Sequence, residues 1–323
     1  MKIFSIVGPT GVGKTSFALE LAEEILKNKD YSGVDLISAD SRQVYQGLEI
    51  ISGADVPSDF RLNTDQKLTY SFYTKGQIYL HGVLIIPPNE EWSVAHFQDL
   101  AWEVIKLAKQ KNHLVIIIGG TGLYHDQLQN IDSSLKIKPN DQVRQKSDQI
   151  ELKILQAWAK EANPTRFMKM NNSDRNNPRR LVRVIEIGKN NLNQATNGID
   201  SDLFHEFEQI YIGLRQDLEK IEAKIKKRVV ERFDNASVQE VKKLHTKYHN
   251  WSSPAFSALG ADEISQYLNG SISKQECLAL WILHEFQYAK RQLTWWKKRD
   301  IAWFEISKSE WKQAAFTYIL NLC

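Results

Sequence analysis

Residues Gly8-Pro9-Thr10-Gly11-Val12-Gly13-Lys14-Thr15 fit the pattern G-x-x-x-x-G-K-[ST]. What flanks them narrows the possible folds more than anything else in the chain. Before them runs Lys2–Val7 (KIFSIV), short, apolar and rich in β-branched residues, which reads as a buried strand. After them, residues 14–29 place Phe17, Leu21 and Ile25, and beside these Leu19, Ala22 and Leu26, at helical spacing. In a strand–loop–helix of this kind the glycines let backbone N–H groups wrap a phosphate chain at the positive end of the helix. Lys14 adds a point charge there, and the Thr15 hydroxyl is the expected Mg²⁺ ligand. The loop implies a site for a phosphate chain and leaves open whose phosphates they are.

Further buried strands are expected at 34–39 (VDLISA) and 114–118 (LVIII), and a weaker one at 83–86. Residues 93–111 read as a helix with Phe97, Leu100, Val104, Ile105 and Ala108 on one face. Strands alternating with helices predict parallel βαβ units. After about Tyr124 the pattern changes. Residues 141–189 are helical, polar and basic, broken at Asn163-Pro164 and at the Asn-rich stretch 171–178. Residues 209–214 (QIYIGL) read as a return to the sheet, and from Asp217 the chain is helical apart from a last strand at 302–306. The fold class expected is α/β. A P-loop NTPase-like parallel sheet core with C-terminal helices would occupy 1–130 and 200–323, and a helical insertion domain would occupy 131–199.

Composition acts mainly by exclusion. At 323 residues, 42% hydrophobic and 25% charged, wholesale disorder is ruled out and two domains, or one with an insertion, are expected. Cys277 and Cys323 cannot build a disulfide framework or a thiolate metal site and fit a reducing, cytoplasmic setting. No apolar run approaches the roughly 18–20 residues of a membrane span, and Met1 leads directly into the first strand, so neither a membrane partner nor a signal peptide is expected. The net charge of +3 is an average. Cations gather at Arg166, Lys169, Arg175, Arg179, Arg180, Arg183 and Lys189, along 217–232, and at 288–299, where Lys298 joins Tyr288, Trp295 and Trp296. Each such run is as well explained by a solvated helix face as by an RNA contact, and Trp295 and Trp296 read as core.

A nucleotide kinase needs an acid near the end of a neighbouring strand to position Mg²⁺. The run 114–118 ends in Gly119-Gly120-Thr121, without one; 34–39 ends in Asp40, which serves equally as a cap of the following turn. On these grounds alone a small-molecule kinase stays open.

Three motifs taken together are more specific. GPTGVGKT (residues 8–15), ADSRQVYQGLEI (39–50) and IIIGGTGLY (116–124) resemble, in order and spacing, those of the tRNA dimethylallyltransferases (tRNA isopentenyltransferases). Asn177-Pro178-Arg179-Arg180-Leu181-Val182-Arg183 and Tyr288-Ala289-Lys290-Arg291-Gln292 are similar to two further helices of that family, so the likeness spans roughly residues 1–305. The resemblance implies transfer of a dimethylallyl group from dimethylallyl diphosphate to N6 of adenosine 37, next to the anticodon in a tRNA anticodon stem-loop, with Mg²⁺ as cofactor and a monomer as the working form. It implies Asp40, Thr10 and Lys224 as catalytic residues, and Gly8 to Thr15 with Arg228 as the diphosphate site. Asp40, Ser41, Arg42, Gln43, Thr121, Arg179, Arg180, Leu181, Arg183, Gly260, Lys290 and Arg291 would contact tRNA. Chemistry agrees: the adenine amine is a poor nucleophile that a carboxylate assists by taking its proton, and its nucleotide must leave the stacked loop to be reached.

The chain departs from the family pattern at Asp55, where Lys is usual, at Ile85, where an acid is usual, and at Ala261 and Phe286, where Tyr and Arg are usual. Lys224 stands at an Arg position and would lose the two-pronged grip of a guanidinium. Prenylation of a free adenine nucleotide, and a remnant that binds RNA without turnover, are the remaining readings.

Overall fold

A strand that is apolar at every position, rather than at alternate ones, belongs in a sheet covered on both faces, and such runs form the centre of this molecule. The computed structural model describes residues 1–54, 56–129, 132–190, 207–248, 254–297 and 299–323; Asp55 and Lys298, singled out above, lie outside them. Two units are distinguished, Met1–Gln129 with His205–Cys323, and Asn130–Phe204.

The first unit begins with β1 (Lys2–Val7), α1 (Lys14–Asn28), β2 (Gly33–Ser38), α2 (Glu49–Ser52), β3 (Arg61–Asn63), β4 (Phe72–Lys75) and β5 (Ile78–His81). It continues with α3 (Val94–Lys111), β6 (His113–Ile118) and α4 (Gly122–Gln127). The second unit holds α5 (Asp141–Ser147), α6 (Leu152–Ala162), α7 (Pro164–Lys169), α8 (Asn172–Arg175) and α9 (Pro178–Lys189). The chain then returns to the first unit with β7 (Glu208–Arg215), α10 (Leu218–Arg232), α11 (Val238–Lys247), α12 (Ala261–Leu268), α13 (Lys274–Trp296), β8 (Ala302–Glu305) and α14 (Trp311–Leu322).

Among the described residues eight strands form one sheet in the order β3-β4-β5-β2-β6-β1-β7-β8. From β5 to β8 every pairing is parallel, as expected for an α/β core. Around β4 the pairing is antiparallel, an extension the sequence reading did not contain. The strand expected at 83–86 is absent. Its place beside β2 is taken by β5, because Leu84 adopts a left-handed backbone (φ 51°) that no strand tolerates. Val83, Leu84 and Ile86 are instead buried and Ile85 partly so, with Ile85 N–H donating to Val44 O at 2.8 Å in the segment after β2.

Helix α3 illustrates how the faces are covered. Ser93 and His96 form a reciprocal cap at its start, and Phe97, Leu100, Val104 and Ile105, all at most 3% exposed, pack the helix on β2 and β6. Each large side chain buried this way stabilises the layer by about 1.5–3 kcal/mol. In the second unit, Leu181, Val184 and Ile185 of α9 close a separate small core with Val143, Leu155 and Phe167.

One polar cluster is built into the sheet itself. Asp35 on β2 accepts hydrogen bonds from His81 Nε2 on β5 and His113 Nδ1 on β6, both at 2.8 Å, and all three residues are buried. Burial works to raise the Asp35 pKa, but the bonds and charges of His113 and His81 outweigh it and hold the carboxyl below its ordinary value. A depressed carboxylate stabilises the fold fully above its unfolded pKa of about 3.9, and that contribution is lost as pH falls through the folded value. Replacing Asp35 by Asn keeps the shape and removes the charge. We expect it to cost about 2 kcal/mol at neutral pH and to flatten the loss of melting temperature between roughly pH 5 and 3. Calorimetric melts of both proteins across that range check this; parallel acid limbs would contradict it.

Candidate active site

Register brings the functional loops together. Ile118 on β6 is level with Ile6 on β1 and with Ser38 on β2, so the segments that follow these three strands leave the sheet side by side. Two hydrogen bonds extend the pairing past the strand ends, from Ala39 N to Ile118 O at 2.7 Å and from Gly119 N to Ile6 O at 3.2 Å. The glycine loop, the Asp40 segment and Gly119-Gly120 therefore share the carboxyl edge of a parallel sheet, where ligands of open α/β sheets bind.

They open onto a cavity of about 700 Å³ within the first unit. Thr10, Gly11, Gly13, Lys14 and Thr15 line one side of it, and Asp40, Ser41, Arg42 and Gln43 another. Helices α10 and α13 complete it with Arg228, Arg232, Glu285, Tyr288, Arg291 and Gln292. Among the described residues five cations (Lys14, Arg42, Arg228, Arg232, Arg291) and two carboxylates (Asp40, Glu285) line it, a balance that suits an anion carrying more than one charge.

Lys14 donates from Nζ to Pro9 O at 2.8 Å. Burial pulls its pKa down to about 8; the Arg228 charge acts in the same direction and the Asp40 charge against it. Arg228 Nη2 donates to Thr10 Oγ1 at 2.9 Å and also to Glu285. Thr10 N–H donates to Gln292 Oε1 at 2.8 Å, a reach across 282 positions of sequence that only a glycine at 120 permits, since a Cβ there would collide with the Gln292 amide. Asp40 Oδ1 accepts from Arg42 N–H at 2.9 Å, the capping geometry, while the carboxylate also borders the cavity. Tyr288, whose pKa is raised by burial and by the Asp40 charge, meets both Thr121 and Gln292.

A family model described as IPP transferase matches residues 43–299, most of the chain. The chain belongs to the IPP transferase family. A second model, isopentenyl transferase, matches residues 1–84. Among curated relatives, the tRNA dimethylallyltransferase of Finegoldia magna is 30% identical, covering 94% of this chain and 91% of the relative. That of Halothermothrix orenii is 32% identical, covering 95% and 88%. A solved tRNA isopentenylpyrophosphate transferase from Bacillus halodurans is 25% identical with a TM-score of 0.65, covering 99% of this chain and 95% of the other. A eukaryotic dimethylallyltransferase acting on tRNA superposes with a TM-score of 0.73 at 22% identity, a likeness of fold. The P-loop NTPase-like core expected from the family motifs is the fold this chain has.

Several residues assigned from sequence do other work here. Lys224 is exposed and does not border the cavity; on α10 Arg228 and Arg232, one and two turns further along, do, so guanidiniums supply the cations of this helix there. Val12 is core and Pro9 has no N–H to offer, so within the loop they shape the backbone around the cavity; Gly8, likewise off its wall, packs on the Leu214 carbonyl. Leu181 is fully buried in the second unit's core. Arg183 is partly buried, bonding Ser134 O and Ile137 O at 2.8 Å each and Glu186. Arg179 and Arg180 are exposed on the first turn of α9, the latter paired with Asp174. Gly260 is buried at φ 97° under the Trp281 ring and starts α12, a backbone conformation and a closeness that favour glycine. Thr121 is absent from the cavity wall and touches Tyr288, which is on it. Gln43 already spends its amide on Ser38 Oγ (3.0 Å) and Gly53 O (2.9 Å). Lys290 is exposed, over the Phe286 ring at 4.6 Å, and Arg291 lines the cavity. Trp296 is core as expected; Trp295 is 42% exposed and lies against Gly122.

The sequence marks Arg232 and Tyr288 only as members of basic runs and gives no role of their own to Glu285 or Gln292. The last three recur with Trp281 on one face of α13, and polar residues on an otherwise buried helical stripe are the signal that marks them.

Proposed function

We propose that this tRNA-modifying prenyltransferase moves the dimethylallyl group of dimethylallyl diphosphate to N6 of the adenosine next to the anticodon. The observation that carries this is the cavity that a glycine loop with Lys14, Thr10 and Arg228 shares with the Asp40 carboxylate. As the amine nitrogen attacks the allylic carbon, the C–N bond forms, the C–O bond breaks with its electron pair leaving on the diphosphate, and Asp40 takes the amine proton. Lys14 and Arg228 lie where the diphosphate gains charge. No residue of the Gly119-Gly120-Thr121 edge supplies the acid a kinase would need.

Among the described residues no three acidic, His or Cys side chains gather as a metal cage. A Mg²⁺ ion bound mainly through substrate phosphates and waters would take the Thr15 hydroxyl, which lines the cavity directly after Lys14. When bound, Mg²⁺ would neutralise charge on the leaving diphosphate. The exposed Arg179 and Arg180 of the second unit favour RNA over a free nucleotide. We take the enzyme to work as a monomer in the cytoplasm; no helix among the described residues is long and apolar enough to cross a membrane.

The choice between RNA and nucleotide is tested by offering dimethylallyl diphosphate with equal concentrations of an unmodified anticodon stem-loop and AMP. The expected product is on the stem-loop; preferential prenylation of AMP overturns this reading.

A further inference from the structure

One carboxylate in the cavity takes no part in the steps above. Glu285 on α13 is 3% exposed. Its Oε2 accepts from Arg228 Nη2, and its Oε1 accepts from Trp281 Nε1 at 3.1 Å and from Arg232 Nη1 at 3.5 Å. A buried carboxylate is costly unless fully partnered, and an apolar side chain of similar size commonly serves the fold as well. This one also lies in a cavity built for a polyanion, where a negative charge opposes ground-state binding. Yet both guanidiniums it holds, one turn apart on α10, are cavity residues, and the Arg228 nitrogen it grips is the one that donates to Thr10 Oγ1.

We propose that Glu285 is a positioning residue: it holds the Arg228 guanidinium against Thr10, so that the donors meeting the departing diphosphate are set before substrate arrives. Donors fixed in advance stabilise a developing charge without reorganising at the moment of reaction. The arrangement gives up some affinity for the diphosphate in exchange for rate, because only interactions stronger in the transition state speed the chemical step. Arg232, bonded to Ile51 O at 3.5 Å and set against Gly53, flanks Glu285 from the other side and keeps it from swinging away from Arg228.

The inference rests on the reading of the reaction given above, and the experiment separates the two. Prenylation of the stem-loop is measured for wild type, Glu285→Gln and Glu285→Asp, together with binding of inorganic diphosphate by calorimetry. A positioning role predicts that Glu285→Gln lowers kcat about tenfold, part of the 10²–10³ carried by a whole oxyanion donor, while diphosphate binds as tightly as to wild type or more so. Glu285→Asp keeps the charge but retracts it from Arg228, so it loses rate as well without the gain in affinity, and it carries the test if the Gln variant does not fold. In an Arg228→Ala background, Glu285→Gln has no further effect on kcat. A purely structural role would move the melting temperature and leave kcat per folded enzyme within about twofold; that result, or additive losses in the double variant, overturns the inference. Wild type without product would contradict the reading of the reaction instead.

Discussion

Replacing Asp40 by Asn should lower kcat for prenyl transfer by about 10²–10⁴, the range of a positioned general base, while stem-loop binding persists. The expectation is sharp because the substitution is gentle. Asn keeps an oxygen to accept the Arg42 N–H that Asp40 Oδ1 now accepts, so the turn after β2 stays capped. What it loses is the ability to receive a proton from the adenine amine. Asp40→Ala removes the cap as well and should cost about 1 kcal/mol of stability in addition, which separates the two roles the residue holds. Single-turnover rates with the stem-loop, alongside its binding, are the measurement. A kcat within a few-fold of wild type would reassign the base.

Removing Lys14 has the second large effect. Lys14→Ala should lower kcat by roughly 10²–10³, as losing one donor to a developing oxyanion does. The pH dependence sharpens this. The ammonium, drawn down to about 8 by burial, is charged below that value and neutral above it. Since kcat/KM reports groups of the free enzyme, it should decline as pH rises through about 8, and that limb should vanish in Lys14→Ala. A Lys14→Arg variant stays charged throughout but has different reach and shape, so it too should lose the limb without regaining full rate. A kcat/KM that holds level to pH 9 in wild type would contradict the assignment.

Local signals made the centre of the site legible and long-range ones hid its far wall. The glycine loop and Asp40 each follow directly on an apolar strand, so their place at the sheet edge could be read from neighbours in sequence. Arg232, Glu285 and Gln292 face the cavity only because α10 and α13 pack together, more than a hundred residues downstream of that loop. Lys224, Arg228 and Arg232 share one helical face at four-residue spacing, and nothing in that spacing says which of them meets the anion. The hairpin of β4 and β5 was missed for a related reason. His81 looks too polar for a central sheet until Asp35 on the next strand is seen to satisfy it, whereas the more apolar 83–86 is bent out of strand geometry at Leu84. In the second unit, basic residues looked alike in sequence. Arg183 bonds the buried Glu186 and two backbone carbonyls, while Arg179 is exposed.

The central claim is that the phosphate chain held at the glycine loop is a leaving group and the carboxylate across from it receives a proton from an adenine. The most direct measurement incubates the full chain with Mg²⁺, dimethylallyl diphosphate and an unmodified adenosine-rich anticodon stem-loop, then digests the RNA and identifies its nucleosides by mass spectrometry. The expected result is N6-dimethylallyladenosine at the position next to the anticodon, with inorganic diphosphate released in equal amount and both formed about 10²–10⁴ more slowly by Asp40→Asn. Unaltered adenosine from wild-type protein that binds both substrates would contradict it.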